Sequence, residues 1–432
     1  MADIIIKENK MLDEKYYTFK HKSGLTVYVF PKKLATSYAL FTTKYGSIDS
    51  KFKLEGEKEF TVVPDGIAHF LEHKMFECEN GEDAFELFAK TGASANAYTT
   101  NERTSYLFST TENFYESLEY LLDFVTHPYF TEKTVQKEQG IIGQEIRMYE
   151  DHPGSRRENE LLQALYKYNK VRIDIAGTTE SIAQINADIL YKCYYTFYNL
   201  RNMALVVCGD IDPHKVEECC DKILKEAPEQ TIIRDYEAND EPKEVYKKRA
   251  LCSLTIVKPI FSIGIKDMEI SKDPMERAKK FYAIQILNEV LYSRTSELYN
   301  TLYNEKLISH SLFSAFDHSE NHSYNVISAE SPNPEAVYDH FVSFIEKTKK
   351  EGIDKEAFEL AKRSAYSEYI RCFDSTEAIA ETLMINFIEG TDAFDMPELI
   401  SSISYEYASE LFNSFYKEEY YAMSVVNPIG KE

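Results

Sequence analysis

The feature that most limits what this chain can fold into is a repeat of one of its own endings. "YKCYYTFYNLRNMALVVCGDI", from Tyr191, aligns without gaps with "SELFNSFYKEEYYAMSVVNPI", from Ser409, 218 residues further along a chain of 432. Phe197-Tyr198 fall on Phe415-Tyr416, and Ala204 and Val207 fall on Ala422 and Val425. Each copy reads as a helix running into a buried strand, and the offset is close to half the chain. Self-similarity of this kind implies one fold used twice, and the length is too great for a single ordinary core. The expected fold class is α+β, with two similar domains, each a mostly antiparallel sheet packed with helices. Their expected bounds are 1–228 and 250–432. The stretch from Pro228 to Arg249, "PEQTIIRDYEANDEPKEVYKKR", is charged and lacks apolar periodicity, so residues 229–249 read as a linker.

Local patterns fill in the halves. "YYTFKHKSGLTVYVFPK" alternates like a hairpin turning at Lys22-Ser23-Gly24, and "SYALFTTKYG" like the next strand. A helix is expected after Pro64-Asp65-Gly66, capped by Asp65, and another in "EDAFELFAKTG", stopped by Gly92. "SANAYTTNERTSYLFST" reads as a strand pair turning at Asn101-Glu102. Helices are expected at 112–126, 131–150, 155–169 and 187–198, with a stop at Pro153 and a new start near Ser155. "NMALVVCG" is a buried strand, and Asp212-Pro213 opens a further helix. In the second half, strands are expected in "LCSLTIVKPIFSIGIK" and near 311–330. Helices are expected near 274–304, 333–350, 354–372 and 375–389.

One short stretch, "GIAHFLEHKMFE" from Gly66 to Glu77, is chemically loaded: His69 and His73 lie four residues apart with Glu72 between them, in a chain of only ten histidines. On an α-helix, residues i and i+4 are separated by about 6 Å of rise and about 40° of rotation. Both imidazoles can therefore face one ion, and neutral imidazole suits zinc. Glu72 is placed to take a proton from a metal-bound water, not to ligate the metal. Ile67, Ala68, Phe70, Leu71 and Met75 mark the same helix as largely buried. That argues against a solvated face with incidental histidines, because buried polar groups need partners.

A hydrolytic zinc site commonly has three protein ligands and one open position. "TEKTVQKEQGIIGQEIRMYED" offers Glu138 and Glu145, two helical turns apart on one face with Ile142 between them. Two acids on an apolar stripe are costly unless a cation meets them. Spacing alone does not rank the two acids. His318 and His322, in "FDHSENHSYN", share the i,i+4 spacing, but their polar surroundings read as an exposed hairpin loop. No Gly-x-Ser-x-Gly elbow and no phosphate-binding glycine loop is present.

Composition narrows the partners. A formal charge of −23 argues against nucleic acid or an anionic membrane surface. The N-terminal residues lack the pattern of a signal peptide, and no apolar run approaches the length of a membrane span, so a cytoplasmic protein is expected. The seven cysteines read as structural thiols.

With these motifs assembled, the chain resembles the pitrilysin/insulinase family of zinc metallopeptidases, the inverzincins, in its short bacterial branch related to processing peptidases. The resemblance runs through "GIAHFLEHKMFE", "GASANAYTTNERTSYLFS", "KEQGIIGQEIRMYEDHP", "VRIDIAGTTESI" and "FYNLRNMALVVCGDID", in family order over most of residues 60–215. It is fainter at "SRTSELYNTLYNEKLISHSLFS". It implies Zn2+ on His69, His73 and Glu145, with Glu72 as general base and Glu138 in support, and so ranks the two acids. It implies substrate-backbone binding at Asn96 and Ala97 on an edge strand, and a chain that forms half of a clam-shell chamber. Family members place an Arg and a Tyr from the second domain at the substrate carbonyl. Here Tyr303 and His310 fall at those positions. The expectation is a zinc-dependent endopeptidase acting on peptides or unfolded segments, as a heterodimer with a zinc-free paralogous chain or as a homodimer. The alternative is a non-enzymatic peptide-binding or assembly subunit.

Overall fold

A computed structural model describes residues 3–77, 79, 81, 84–236 and 240–430, so Cys78 and the linker residues Glu237, Ala238 and Asn239 lie outside the description. The chain forms two compact units. The first comprises Met1–Ile146, Asp174–Tyr236 and Ile370–Phe394; the second comprises Arg147–Ile173, Glu237–Tyr369 and Asp395–Glu432.

The first unit contains strands β1 (Ile5–Asn9), β2 (Glu14–Lys20), β3 (Thr26–Pro31), β4 (Ser37–Thr43), β5 (Lys51–Leu54), β6 (Thr61–Val62), β7 (Ser94–Thr99), β8 (Thr104–Thr110), β9 (Met203–Gly209) and β10 (Ile232–Arg234). Seven of them form one sheet in the order β1-β2-β3-β9-β4-β8-β7, and β10-β5-β6 form a small second sheet. Only the β3–β9 pairing is parallel in the large sheet. The second unit contains β11 (Arg249–Leu254), β12 (Ile260–Lys266), β13 (Phe313–His318), β14 (Ser323–Glu330) and β15 (Tyr421–Pro428), in the order β11-β15-β12-β14-β13.

The sequence repeat thus has a topological counterpart. The order β3-β9-β4-β8-β7 matches β11-β15-β12-β14-β13 strand for strand, and β11–β15 is again the one parallel pair. Both repeat copies run helix, short 3-10 turn, central strand: Ala187–Phe197 into β9, and Tyr405–Phe415 into β15. β9 is buried at every position, as a strand flanked on both sides and covered on both faces must be. The repeated tyrosines sit alike: Tyr198 and Tyr106 share a hydroxyl hydrogen bond of 2.7 Å, and Tyr416 and Tyr292 share one of 3.0 Å.

Each unit takes one helix from the other's stretch of chain. The helix Pro153–Leu165 packs on β15 and β12, and the helix Thr376–Glu389 packs on β9 and β4. Apart from Arg249 at the start of β11, the expected bounds 1–228 and 250–432 hold the strands of the two main sheets, but they do not assign these two helices to the units they join. The glycine at position 264 of β12 explains one seat, since a Cβ there would come within 2.9 Å of Leu161 Cδ1.

Several local expectations are corrected. The helix that follows Pro64 starts at Ile67 and its N-cap is Gly66, with no side-chain cap, so Asp65 does not cap it. The helix expected from Ser155 begins at Pro153, where the His152 ring accepts the Ser155 amide N–H. The polar stretch read as linker contains β10, whose Arg234 Nε donates to buried Asp49 at 2.8 Å. It also contains Glu241, which with Lys266 forms a fully buried ion pair of 2.6 Å. Glu241 accepts the amide N–H groups of Lys167, Tyr168 and Asn169 as well. Charge here marks buried pairing, not solvent. The expected exposed hairpin at His318 and His322 is likewise overturned for His322, which is 1% exposed between Asp317 Oδ1 (2.8 Å) and Ser319 Oγ (3.1 Å). Among the described residues, Cys193, Cys208, Cys219 and Cys220 are buried and form no disulfide, and Cys252 and Cys372 are half-buried. No described helix is long and apolar enough to cross a membrane.

Candidate metal centre

The site begins with the helix Ile67–Met75. Ile67, Ala68, Phe70, Leu71 and Met75 are all buried in the first unit's core, which fixes the helix's rotation about its axis. The glycine at position 66 has φ 91°, and a Cβ there would lie 2.4 Å from the Ala176 carbonyl oxygen. Across this contact Gly177, at φ 73°, leaves equally little room beside the Asp65 carbonyl, and Ser181 Oγ donates to that carbonyl at 2.7 Å. The segment "DIAGTTESI" therefore clamps the start of the helix. A side chain at either glycine would lift the helix end and rotate the residues that follow.

On this helix the His69 and His73 rings stand 4.6 Å apart at 61°. The helix Glu132–Asp151 is seated by buried Val135, Ile142 and Ile146, and by Gln139, whose amide donates to the carbonyls of Ile182 and Ile185. That seating brings Glu145 to the histidines, with Oε1 3.8 Å from His69 Nε2 and Oε2 3.5 Å from His73 Nε2. One ligand atom each from His69, His73 and Glu145 all lie within 4.8 Å of one another, a grouping found nowhere else among the described residues. These N···O separations are long for hydrogen bonds. Metal–ligand bonds of about 2.0–2.2 Å arranged tetrahedrally put neighbouring donors about 3.3–3.6 Å apart; the His73–Glu145 separation of 3.5 Å matches that spacing and the His69–Glu145 separation of 3.8 Å is slightly wider.

The surroundings agree with that fit. His73 Nδ1 is 3.0 Å from Glu138 Oε1, the arrangement by which an outer carboxylate orients a ligating imidazole. Burial and the neighbouring His73 pull the His69 pKa down to about 4, which leaves a neutral imidazole at physiological pH. Its Nδ1 is buried without a hydrogen-bond partner among the described residues. For His73, burial acts downward, but the bond to Glu138 and the charges of Glu72, Glu138 and Glu145 outweigh it and raise the pKa. Glu138 is opposed by burial and held low by its bond to His73.

Glu72 is 8% exposed. Burial raises its carboxyl pKa, and a hydrogen bond donated by Thr99 Oγ1 to Oε2, at 2.6 Å, acts against that rise. Reading the sequence missed Thr99. The available signal was strand parity, which puts Thr99 on the same face as Ala95 and Ala97, the two alanines that pack against the core holding the histidine helix. Lys74 was also missed. It is 1% exposed and paired with Glu77, and burial pulls its ammonium down to about 8.

β7 is an edge strand, bonded among the described residues only to β8. Asn96 is exposed on it, and its Oδ1 accepts the Ala97 N–H at 2.9 Å. Tyr98, on the Asn96 face, donates to both carboxylate oxygens of Glu381, at 2.9 and 2.8 Å. Tyr303 and His310 belong to the second unit. Both are exposed there, Tyr303 stacked on Tyr299 in the helix Glu297–Asn304 and His310 in the bend after it.

Comparison with known proteins bears on this arrangement. A sequence model described as Insulinase (Peptidase family M16) matches residues 62–179, and one described as Peptidase M16 inactive domain matches residues 184–365. The chain is 39% identical to the uncharacterized zinc protease YmfH of Bacillus subtilis over 92% of its own length and 93% of YmfH. It is 24% identical to the uncharacterized zinc protease YmxG of the same organism over 87% and 91%. Among solved structures, a protein described as an M16-like peptidase from Alicyclobacillus acidocaldarius superposes with a TM-score of 0.91 at 32% identity, covering 99% of both chains. Pitrilysin shares the fold at a TM-score of 0.73 and 14% identity, over 99% of this chain and 46% of pitrilysin.

Proposed function

Because this chain belongs to the insulinase family, peptidase family M16, we propose that it is a zinc-dependent endopeptidase that hydrolyses peptides or unfolded segments. The observation that carries this reading is the convergence of His69, His73 and Glu145 within 4.8 Å, with Glu72 on the same helix. His69 Nε2, His73 Nε2 and a Glu145 oxygen would hold the ion, and Glu138 would keep the His73 ring oriented through Nδ1. A bound zinc ion supplies Lewis acidity to a peptide carbonyl and to water.

Glu72 is the proton carrier in this scheme. Its carboxylate takes a proton from the water whose oxygen attacks the carbonyl carbon. It then delivers that proton to the amide nitrogen as the C–N bond breaks, so that an acid and an amine leave. The peptide would add as a strand to the edge of β7, near Asn96 and Ala97. The Asn96 side chain would then have to release the Ala97 N–H that it holds in this structure.

Tyr303 and His310, where the family resemblance implies an Arg and a Tyr, support assembly with a second, zinc-free chain that supplies the carbonyl-binding pair. In a homodimer their own hydroxyl and imidazole would serve. The same two residues favour a second reading, a peptide-binding subunit without activity. Cytoplasmic residence accompanies either form.

Glu72→Gln separates the readings. The peptidase reading expects zinc retained at wild-type stoichiometry and cleavage of an internally quenched peptide lost. Zinc-loaded wild type and Glu72→Gln that are equally inert, alone and with each paralogous chain tried, would establish the binding subunit.

A further inference from the structure

We propose that Thr99 is a positioning residue for Glu72, and that it ties the orientation of the proton carrier to the strand along which the substrate would lie. This rests on the peptidase reading above and adds a residue to it. The Thr99 hydroxyl is the sole hydrogen-bond partner of the Glu72 carboxylate among the described residues, and 2.6 Å is the length expected of a hydroxyl bonded to a charged oxygen.

The direction of that bond is set from both sides. Thr104 Oγ1, fully buried and 3.4 Å from Thr99 Oγ1, donates its one proton to the Tyr45 carbonyl at 2.9 Å. A hydroxyl has a single proton to give, and a carboxylate only accepts. The Thr99 proton therefore goes to Glu72, a charged acceptor at 2.6 Å, in preference to the neutral Thr104 Oγ1 at 3.4 Å. Thr99 is itself held by its pairing with Thr104 at the end of β7.

A glutamate's terminal torsion is broad and two-fold, so burial alone does not select a carboxylate plane. The hydroxyl selects it, occupying Oε2 and leaving Oε1 as the oxygen available for proton transfer. Because Thr99 ends the strand whose edge the peptide would join, a shift of that strand on substrate binding moves the donor that aims Glu72. A positioning role of this kind is expected in kcat, not in substrate affinity.

The test compares Thr99→Val with Thr99→Ser in the full-length chain, together with its partner chain if activity requires one. Valine keeps the β-branched shape that suits a strand and removes the hydroxyl. The expected result for Thr99→Val is unchanged zinc stoichiometry, unchanged Tm and unchanged KM, with kcat lower by about 10- to 100-fold, as for outer residues that orient a site. Thr99→Ser is expected to recover most of the loss. A crystal structure of Thr99→Val should show the Glu72 carboxylate turned from its wild-type plane.

Three results overturn the proposal: equal kcat in wild type and Thr99→Val, loss of zinc or Tm in step with kcat, or a Glu72 carboxylate that keeps its plane in Thr99→Val. The first two require an active wild type. A wild type inert in every assembly sinks the peptidase reading instead, and the crystal structure still decides whether Thr99 sets the plane.

Discussion

The two units carry the same strand order, yet they treat the helix between the second strand and the edge hairpin in opposite ways. In the second unit that helix, Pro274–Tyr292, buries Ala283, Ile284, Ile286 and Leu287. Its one buried amide, Asn288, exchanges two hydrogen bonds of 2.9 Å with Asn325. Among the described residues, no buried side-chain polar atom of that helix lacks a hydrogen-bond partner. In the first unit the corresponding helix, Ile67–Met75, is just as apolar around its core face but presents His69, Glu72 and His73 on the other. The two imidazoles face Glu145 at 3.8 and 3.5 Å, long for hydrogen bonds, and His69 Nδ1 has no hydrogen-bond partner among the described residues. A fold used twice can thus be closed in one copy and left chemically open in the other, and the open copy is the one with room for an ion.

The largest expected effect attacks that contrast directly. His73→Ala should reduce bound zinc to near zero and abolish cleavage, whereas Asn288→Ala should leave zinc stoichiometry at the wild-type value. Elemental analysis of both proteins checks this, and equal zinc in the two variants would erase the distinction between the units.

Next in size is the buried pair of the second unit. Glu241→Gln leaves Lys266 charged and buried, and should cost about 3–5 kcal/mol in chemical denaturation while cleavage under native conditions persists. The pair also predicts a pH dependence. Burial opposes the Glu241 carboxylate, but Lys266 and three backbone amides hold its pKa below the usual glutamate value. The stability it contributes is therefore present above the unfolded value near 4.3 and is lost as the pH falls through the lower folded value. The stability gap between wild type and Glu241→Gln should close on acidification from about pH 5 toward pH 3. A gap independent of pH would show that Glu241 acts by packing alone.

Smaller again, Glu138→Gln should lower activity about 10- to 100-fold by weakening the support of His73. Zinc titration alongside kinetics would reveal whether affinity or turnover carries the loss. The smallest effect tests the repeat itself: Tyr198→Phe and Tyr416→Phe should each cost about 1 kcal/mol of stability, since each removes one member of a hydroxyl pair. Unequal costs would mark where the two copies have diverged.

Much of this was legible in the sequence for local reasons. The hairpin at Lys22-Ser23-Gly24 turns where Gly24 adopts φ 97°. The strand pair around Asn101-Glu102 is β7 and β8, and the helices around His69 and Glu145 lie where apolar spacing put them. What failed was long-range in origin. Asp65 has the chemistry of a cap, but its carbonyl is engaged by Ser181, 116 residues away. Glu241 sits in a stretch as polar as any linker, and only its meeting with Lys266 makes it buried. The histidine at 322 has a polar neighbourhood in sequence and a closed one in space.

By itself the sequence determined the periodicities: strand alternation, the i,i+4 placement of two imidazoles with an acid between them, and a duplicated helix–strand ending. These follow from bond geometry within a few residues, and no distant partner can alter them. The tertiary structure decided which helix covers which sheet, that Glu145 faces both histidines while Glu138 braces one, and that Thr99 holds Glu72. Those outcomes depend on side chains far apart in the chain competing for the same buried space. Burial rewards area without direction, so only the packed result reveals which contacts prevailed.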